Sequence, residues 1–123
     1  MISKRVFRNT PTEAIFSYLP RILEEIGVKV DSQKQESADD LFKGQIEGVK
    51  SDRPSLLIRI TIEGGKEPWV EVAGNFLPNI YTSKVSAESY EITNEGRADT
   101  KESIELLRQF DTKIGMYVWH TAG

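Results

Sequence analysis

"SLLIRITIE", residues 55–63, alternates in character with a period of two. That period is the repeat of a β-strand. It puts Leu56, Ile58, Ile60 and Ile62 on one face and Leu57, Arg59, Thr61 and Glu63 on the other. Two neighbouring stretches repeat the pattern. "LFKGQIEGV" (41–49) sets Phe42 and Ile46 against Lys43, Gln45 and Glu47, and "WVEVAGN" (69–75) sets Val70 and Val72 against Trp69 and Glu71. Such strands predict an antiparallel sheet with one covered and one wetter face. Between the last two, "IEGGKEPW" (62–69) reads as a hairpin turn. A three-residue Gly64-Gly65-Lys66 loop keeps the apolar faces in phase, pairing Ile60 with Val70, Ile58 with Val72 and Arg59 with Glu71.

Helices flank these strands. "TPTE" (10–13) predicts an N-terminus with Thr10 as cap, Pro11 in the first turn and Glu13 closing a capping box, and Gly27 marks the C-terminus. Between them Ile15, Leu19, Ile22 and Ile26 form one stripe that stays in phase across Pro20. At about 100° per residue Pro20 lies on the outward flank, where the lost hydrogen bond opens the solvent side and bends the helix around its support. From Arg97 or Thr100 to His120 a second helix is expected, capped at Asp99 or Thr100, with Ile104, Leu107, Phe110, Ile114, Tyr117 and Val118 on one arc. "SKRVFRN" and "GVKVDSQ" read as strands beside the first helix, and "NIYTSKVSAESYEIT" (79–93) has strand composition.

The reading is therefore a single α+β domain over residues 1–123. One curved antiparallel sheet of five or six strands carries a bent N-terminal helix and a long C-terminal helix on one face. This order resembles the helix-grip fold of lipid- and hormone-binding START-like domains, and also one repeat of the TATA-binding-protein-like fold. The first resemblance implies a cavity between sheet and C-terminal helix. The second implies nucleic-acid binding through the sheet, which would need a basic outer face.

Charge speaks against that. The 123 residues carry a net charge of −3, so no duplex nucleic-acid partner is expected. Lys4, Arg5 and Arg8 precede the first acid, Glu13, and read as charges guarding an edge strand. With zero cysteines, disulfide and thiolate chemistry are excluded, and cytoplasmic residence is the simplest expectation. No apolar run approaches the roughly 20 residues a membrane span needs, and the N-terminus lacks a signal peptide's apolar region.

Candidate sites are few. His120 is the single histidine; it reads as a charge at a helix C-terminus, and an enzyme reading would have to use it with a carboxylate. "DSQKQESADD" (31–40) reads as a solvated loop or a wide hairpin end, and its clustered acids lack the spacing of a calcium loop, so no metal site, catalytic group or cofactor is assigned. On the covered face, pairing Ile46 with Ile58 would bring Gly48, Leu56 and Gly74 into one row, with Gly44 nearby. The missing side chains leave space that Phe16, Phe110 or Tyr117 fills, or that remains as a pocket lined by Gly48 and Gly74 with Tyr117, Trp119 and His120 at its mouth. On the outer face Leu57, Arg59, Trp69 and Glu71 form a candidate interface. The expected function is a non-enzymatic binding domain for an apolar small molecule or a protein partner. The alternative is an accessory protein working through homodimer or protein contacts on the outer face, with no cavity.

Overall fold

The computed structural model describes residues 1–8, 10–39, 41–67, 70–72, 75–77 and 80–122, with backbone alone for 66–67, 70–72, 75–77, 80–81 and 120–122. In order come β1 (Ile2–Arg8), α1 (Thr12–Glu25), β2 (Val28–Ala38), β3 (Leu41–Lys50), β4 (Arg53–Glu67), β5 (Val70–Val72), β6 (Asn75–Leu77), β7 (Ile80–Thr93), β8 (Gly96–Ala98) and α2 (Lys101–Ala122). Strands β1-β7-β4-β3-β2 form one antiparallel sheet, with β8 continuing beside β7, while β5 and β6 pair with each other. The α+β architecture, with both helices on one sheet face, is the one the alternation predicts.

The dry side is as read for β3 and β4, while residues 70–72, expected to continue it, belong to the separate β5-β6 pair. Phe42, Ile46, Leu56, Ile58, Ile60 and Ile62 are buried, and Val85 and Ala87 of β7 join them. From α1 come Ile15, Phe16, Leu19, Ile22 and Leu23; from α2 come Leu106, Leu107, Phe110, Ile114 and Val118. Ile104, expected on that arc, is exposed, and the small buried Ser103 takes the inward place near the helix start.

The partner of β4 is a correction. Gly64 and Gly65 are no turn: β4 runs through them to Glu67, pairing Gly64 with Phe42 and Ser83, and Glu67 with Ile80. Strand β7, rather than residues 70–72, flanks β4, so Ile60 faces Ala87 and Ile58 faces Ser89. A Cβ on Gly64 would stand 2.2 Å from the Thr82 carbonyl oxygen and 2.7 Å from Thr12 Oγ1. The glycine thus admits close approach of β7 and the start of α1, a role that reads in sequence like a turn. On the other side Ile46 pairs with Ile60 and Gly48 with Ile58, two residues from the expected register. Such an offset keeps every side chain on its face.

The polar stretch after Val30 is no solvated loop but the end of a hairpin, since β2 runs to Ala38 and pairs with β3 from Ser32 to Ala38. Helix α1 also starts differently. Pro11 occupies the cap position without a side-chain cap, and Pro20 lies inside the helix. Thr10 and Thr12 are buried instead, and the Thr12 hydroxyl hydrogen-bonds Ser83 Oγ at 2.7 Å. Helix α2 has its cap at Thr100: the Thr100 N–H donates to Ser103 Oγ (2.8 Å) and the Ser103 N–H to Thr100 Oγ1 (3.2 Å). Its middle is tied to β1, where Arg5 Nη1 donates to the Asp111 carbonyl (2.7 Å) and Ser3 Oγ to Asp111 Oδ1 (2.8 Å). Among the described residues no helix is long and apolar enough to cross a membrane.

Candidate functional site

The two helices meet along a seam whose outer side is apolar. Tyr18, Arg21 and Glu25 follow one another at helical spacing on α1, as do Lys113, Met116 and Tyr117 on α2. The Tyr18 and Tyr117 rings lie 5.9 Å apart, tilted by 39°, and floor a groove of about 660 Å³. Met116, half exposed at 50%, forms its rim beside Arg21 and Lys113. Its thioether is flexible and polarizable, so it adapts to differently shaped apolar surfaces.

One buttress holds the floor in place. Tyr117 Oη donates to Glu25 Oε1 at 2.8 Å, and Arg21 and Lys113 approach the same carboxylate at 3.6 and 3.7 Å. The phenol hydrogen bond, then the two cations, hold the Glu25 carboxyl below the usual carboxylate range against the opposing effect of burial. The Tyr117 phenol is raised in turn, first by that bond and then by burial. One carboxylate thus faces two cations, leaving the rim net positive.

The space expected inside is occupied where it is described. A Cβ on Gly44 would lie 2.6 Å from Phe16 Cε2, and one on Gly48 would lie 2.5 Å from the Lys29 carbonyl oxygen and 2.6 Å from Val28 Cγ1. Gly48 sits between Val30 and Ile58, away from any row containing Leu56. Tyr117 lies in the seam, and Trp119 is 79% exposed. Gly74 and the His120 side chain lie outside the described residues. The structure therefore places Tyr117 and Gly48 in separate settings, one between helices and one against β2.

On the outer face Leu57 is half-buried, opposite Val49 and Tyr90. Arg59 Nε donates to Glu47 Oε1 at 2.8 Å, and Glu88 flanks it across the other side. The cross-strand partners of Arg59 are thus Glu47 and Glu88; the side chains of Trp69 and Glu71 lie outside the described residues. Elsewhere Glu91, 5% exposed, accepts from Arg53 Nε (2.5 Å), Arg53 Nη2 (3.1 Å) and Ser55 Oγ (2.9 Å), and Arg53 also reaches Glu102 at 3.7 Å. Arg53 holds the Glu91 carboxyl down to about 2, against burial, with help from Thr100 and Ser55. This ion pair staples β4, β7 and α2 together. Among the described residues no cluster of three or more His, Cys, Asp or Glu could hold a metal.

Sequence reading named Tyr117 but missed Tyr18, Arg21 and Met116. Tyr18 lies just off the apolar stripe of α1, whereas Arg21 and Met116 lie on the outward sides of their helices at about 100° per residue, and what was lacking was the crossing that brings these surfaces together. What this arrangement offers is apolar surface with a positive rim. The chain matches no family model and no curated protein.

Proposed function

We propose that the chain is a non-enzymatic binding domain, working in the cytoplasm, that holds a protein partner in the seam between α1 and α2. The observation that carries this is the groove floored by Tyr18 and Tyr117 and rimmed by Met116. An open groove suits a side-chain anchor of another protein better than a free small molecule, which needs burial of most of its surface. The positive rim of Arg21 and Lys113 favours an amphipathic segment with acidic residues beside its apolar face. The lack of cysteine in the chain supports the compartment. An apolar small molecule between sheet and α2 is less favoured, because Phe16 stands in the space beside Gly44. The outer sheet face is less favoured too, since Leu57 is half-buried and Arg59 is already paired.

Fluorescence anisotropy with a labelled amphipathic helical peptide, leucines on one face and glutamates beside them, tests this. Saturable binding is expected, weakened by about tenfold or more in Met116→Glu and unchanged in Trp119→Ala. Equal binding by wild type and Met116→Glu, or no saturable binding, contradicts it. Saturable binding of dodecanoate without any of the peptide would return the reading to a small apolar ligand.

A further inference from the structure

The sheet ends in an unpartnered strand whose charges are ordered. Strand β2 pairs with β3 along one edge, and among the described residues its other edge carries no strand. A bulge between Val30 and Ser32 separates its two halves. From Gln33 to Ala38 every residue is exposed, on both faces. Long exposed edges usually invite association, and charged side chains restrict which partners they accept.

Across the outer face one row reads Glu36–Lys43–Glu63–Lys84, each directly opposite the next. The signs alternate strand by strand, and the row stops at the free edge on an acid. The next place in that row calls for a cation. Lys34 lies on the same face of β2, one pleat away, opposite the neutral Gln45.

We propose that two copies of the chain pair antiparallel through β2, about a twofold axis passing at Gln35. Glu36 then faces Lys34 of the second copy, and Lys34 faces its Glu36, while Gln33 meets Ser37 and Gln35 meets itself. The alternation of sign runs unbroken from one sheet into the other. Register is selected as well as allowed. A slip of two residues, the smallest that keeps the faces in phase, opposes Lys34 to Lys34 or Glu36 to Glu36. The axis stands perpendicular to the sheet, so both helix layers lie on one side and both seams remain open. The strand shares no residue with the groove between the helices, so dimer and groove are separable.

Sedimentation equilibrium of the wild type, Lys34→Glu and Glu36→Lys tests the pairing. The wild type is expected to dimerise reversibly, more weakly at high salt. Each single variant turns two unlike pairs into two like ones and should weaken the dimer by roughly tenfold or more. Lys34→Glu places its new charge opposite Gln45 within the chain, so at concentrations where both proteins are monomeric its melting curve should match the wild type and exclude misfolding. Mixing the two variants restores both unlike pairs, and a heterodimer of near wild-type strength is expected. A wild type that stays monomeric to its solubility limit overturns the proposal. So does a dimer indifferent to both substitutions, or a mixture no stronger than its components.

Discussion

The Phe16 ring fills the place that Gly44 leaves on the inner face: a Cβ there would come within 2.6 Å of Phe16 Cε2 and 2.7 Å of Cδ2. The same ring meets Phe42 at 5.4 Å, tilted by 58°. The missing side chain of one strand is thus supplied by a helix, and that is how α1 seats on the sheet.

Gly44→Ala should therefore destabilise the fold by about 1–3 kcal/mol, since the ring is packed on its far side and has little room to retreat. Phe16→Ala should cost about 3–5 kcal/mol. In the double variant the alanine methyl has space, so the total should fall short of the sum. Urea unfolding of the three proteins measures this, and strict additivity would mean that ring and glycine do not share the site.

Gly64→Ala separates the two readings of the Gly-Gly pair. In a hairpin loop the substitution would be mild. Between β4 and β7, with a carbonyl oxygen 2.2 Å from the new carbon, the backbone must part, and a loss of about 2 kcal/mol or more is expected. Thermal unfolding decides it, and an unchanged midpoint would speak for the loop.

Acid should loosen the staple at Glu91. Its carboxyl titrates at about 2 in the folded protein against an ordinary 4.5, so the folded state prefers the ionised form. The stability this gives is fully present above the ordinary value and is lost as pH falls through the window from there to about 2. The melting midpoint should drop across that window. Glu91→Gln should start from a lower midpoint at neutral pH, and its further decline should be shallower. Parallel curves for the two proteins would remove Glu91 from the account.

Tyr117→Phe keeps the floor of the seam and removes its hydrogen bond to Glu25. Because that bond is the largest cause of the low Glu25 titration, the carboxyl should titrate at higher pH in the variant, as followed by carbon-detected NMR. Peptide binding should persist in Tyr117→Phe and fail in Tyr117→Ala. Loss in both would make the hydroxyl, rather than the ring, the binding group.

Much of the fold was legible because alternation is local. Ile58, Ile60 and Ile62 report their face by themselves, and Leu107, Phe110, Ile114 and Val118 report theirs. What alternation does not carry is the identity of the neighbouring strand. Residues 70–72 and 80–93 both have strand composition, and Gly64-Gly65 offered a turn that made the nearer one the natural partner. The decision lies in the close approach of Thr82 and Thr12 to Gly64, which spans distant parts of the chain. The start of α1 was misread for a related reason. Thr12 uses its hydroxyl on Ser83 of another strand, so its place depends on β7. Half of the candidate site was equally hidden, since Tyr18 becomes a floor only when α2 brings Tyr117 beside it.

The seam can be watched directly, because the chain has two methionines, Met116 on its rim and Met1 beside Asp99 at the opposite end of α2. In methyl NMR of protein labelled at both, adding the acidic amphipathic peptide should shift or broaden the Met116 signal in a saturable way and leave Met1 unmoved. A Met116 signal unchanged at saturating peptide, or equal movement of both methyls, would contradict the assignment of the helix seam as the surface that holds a partner.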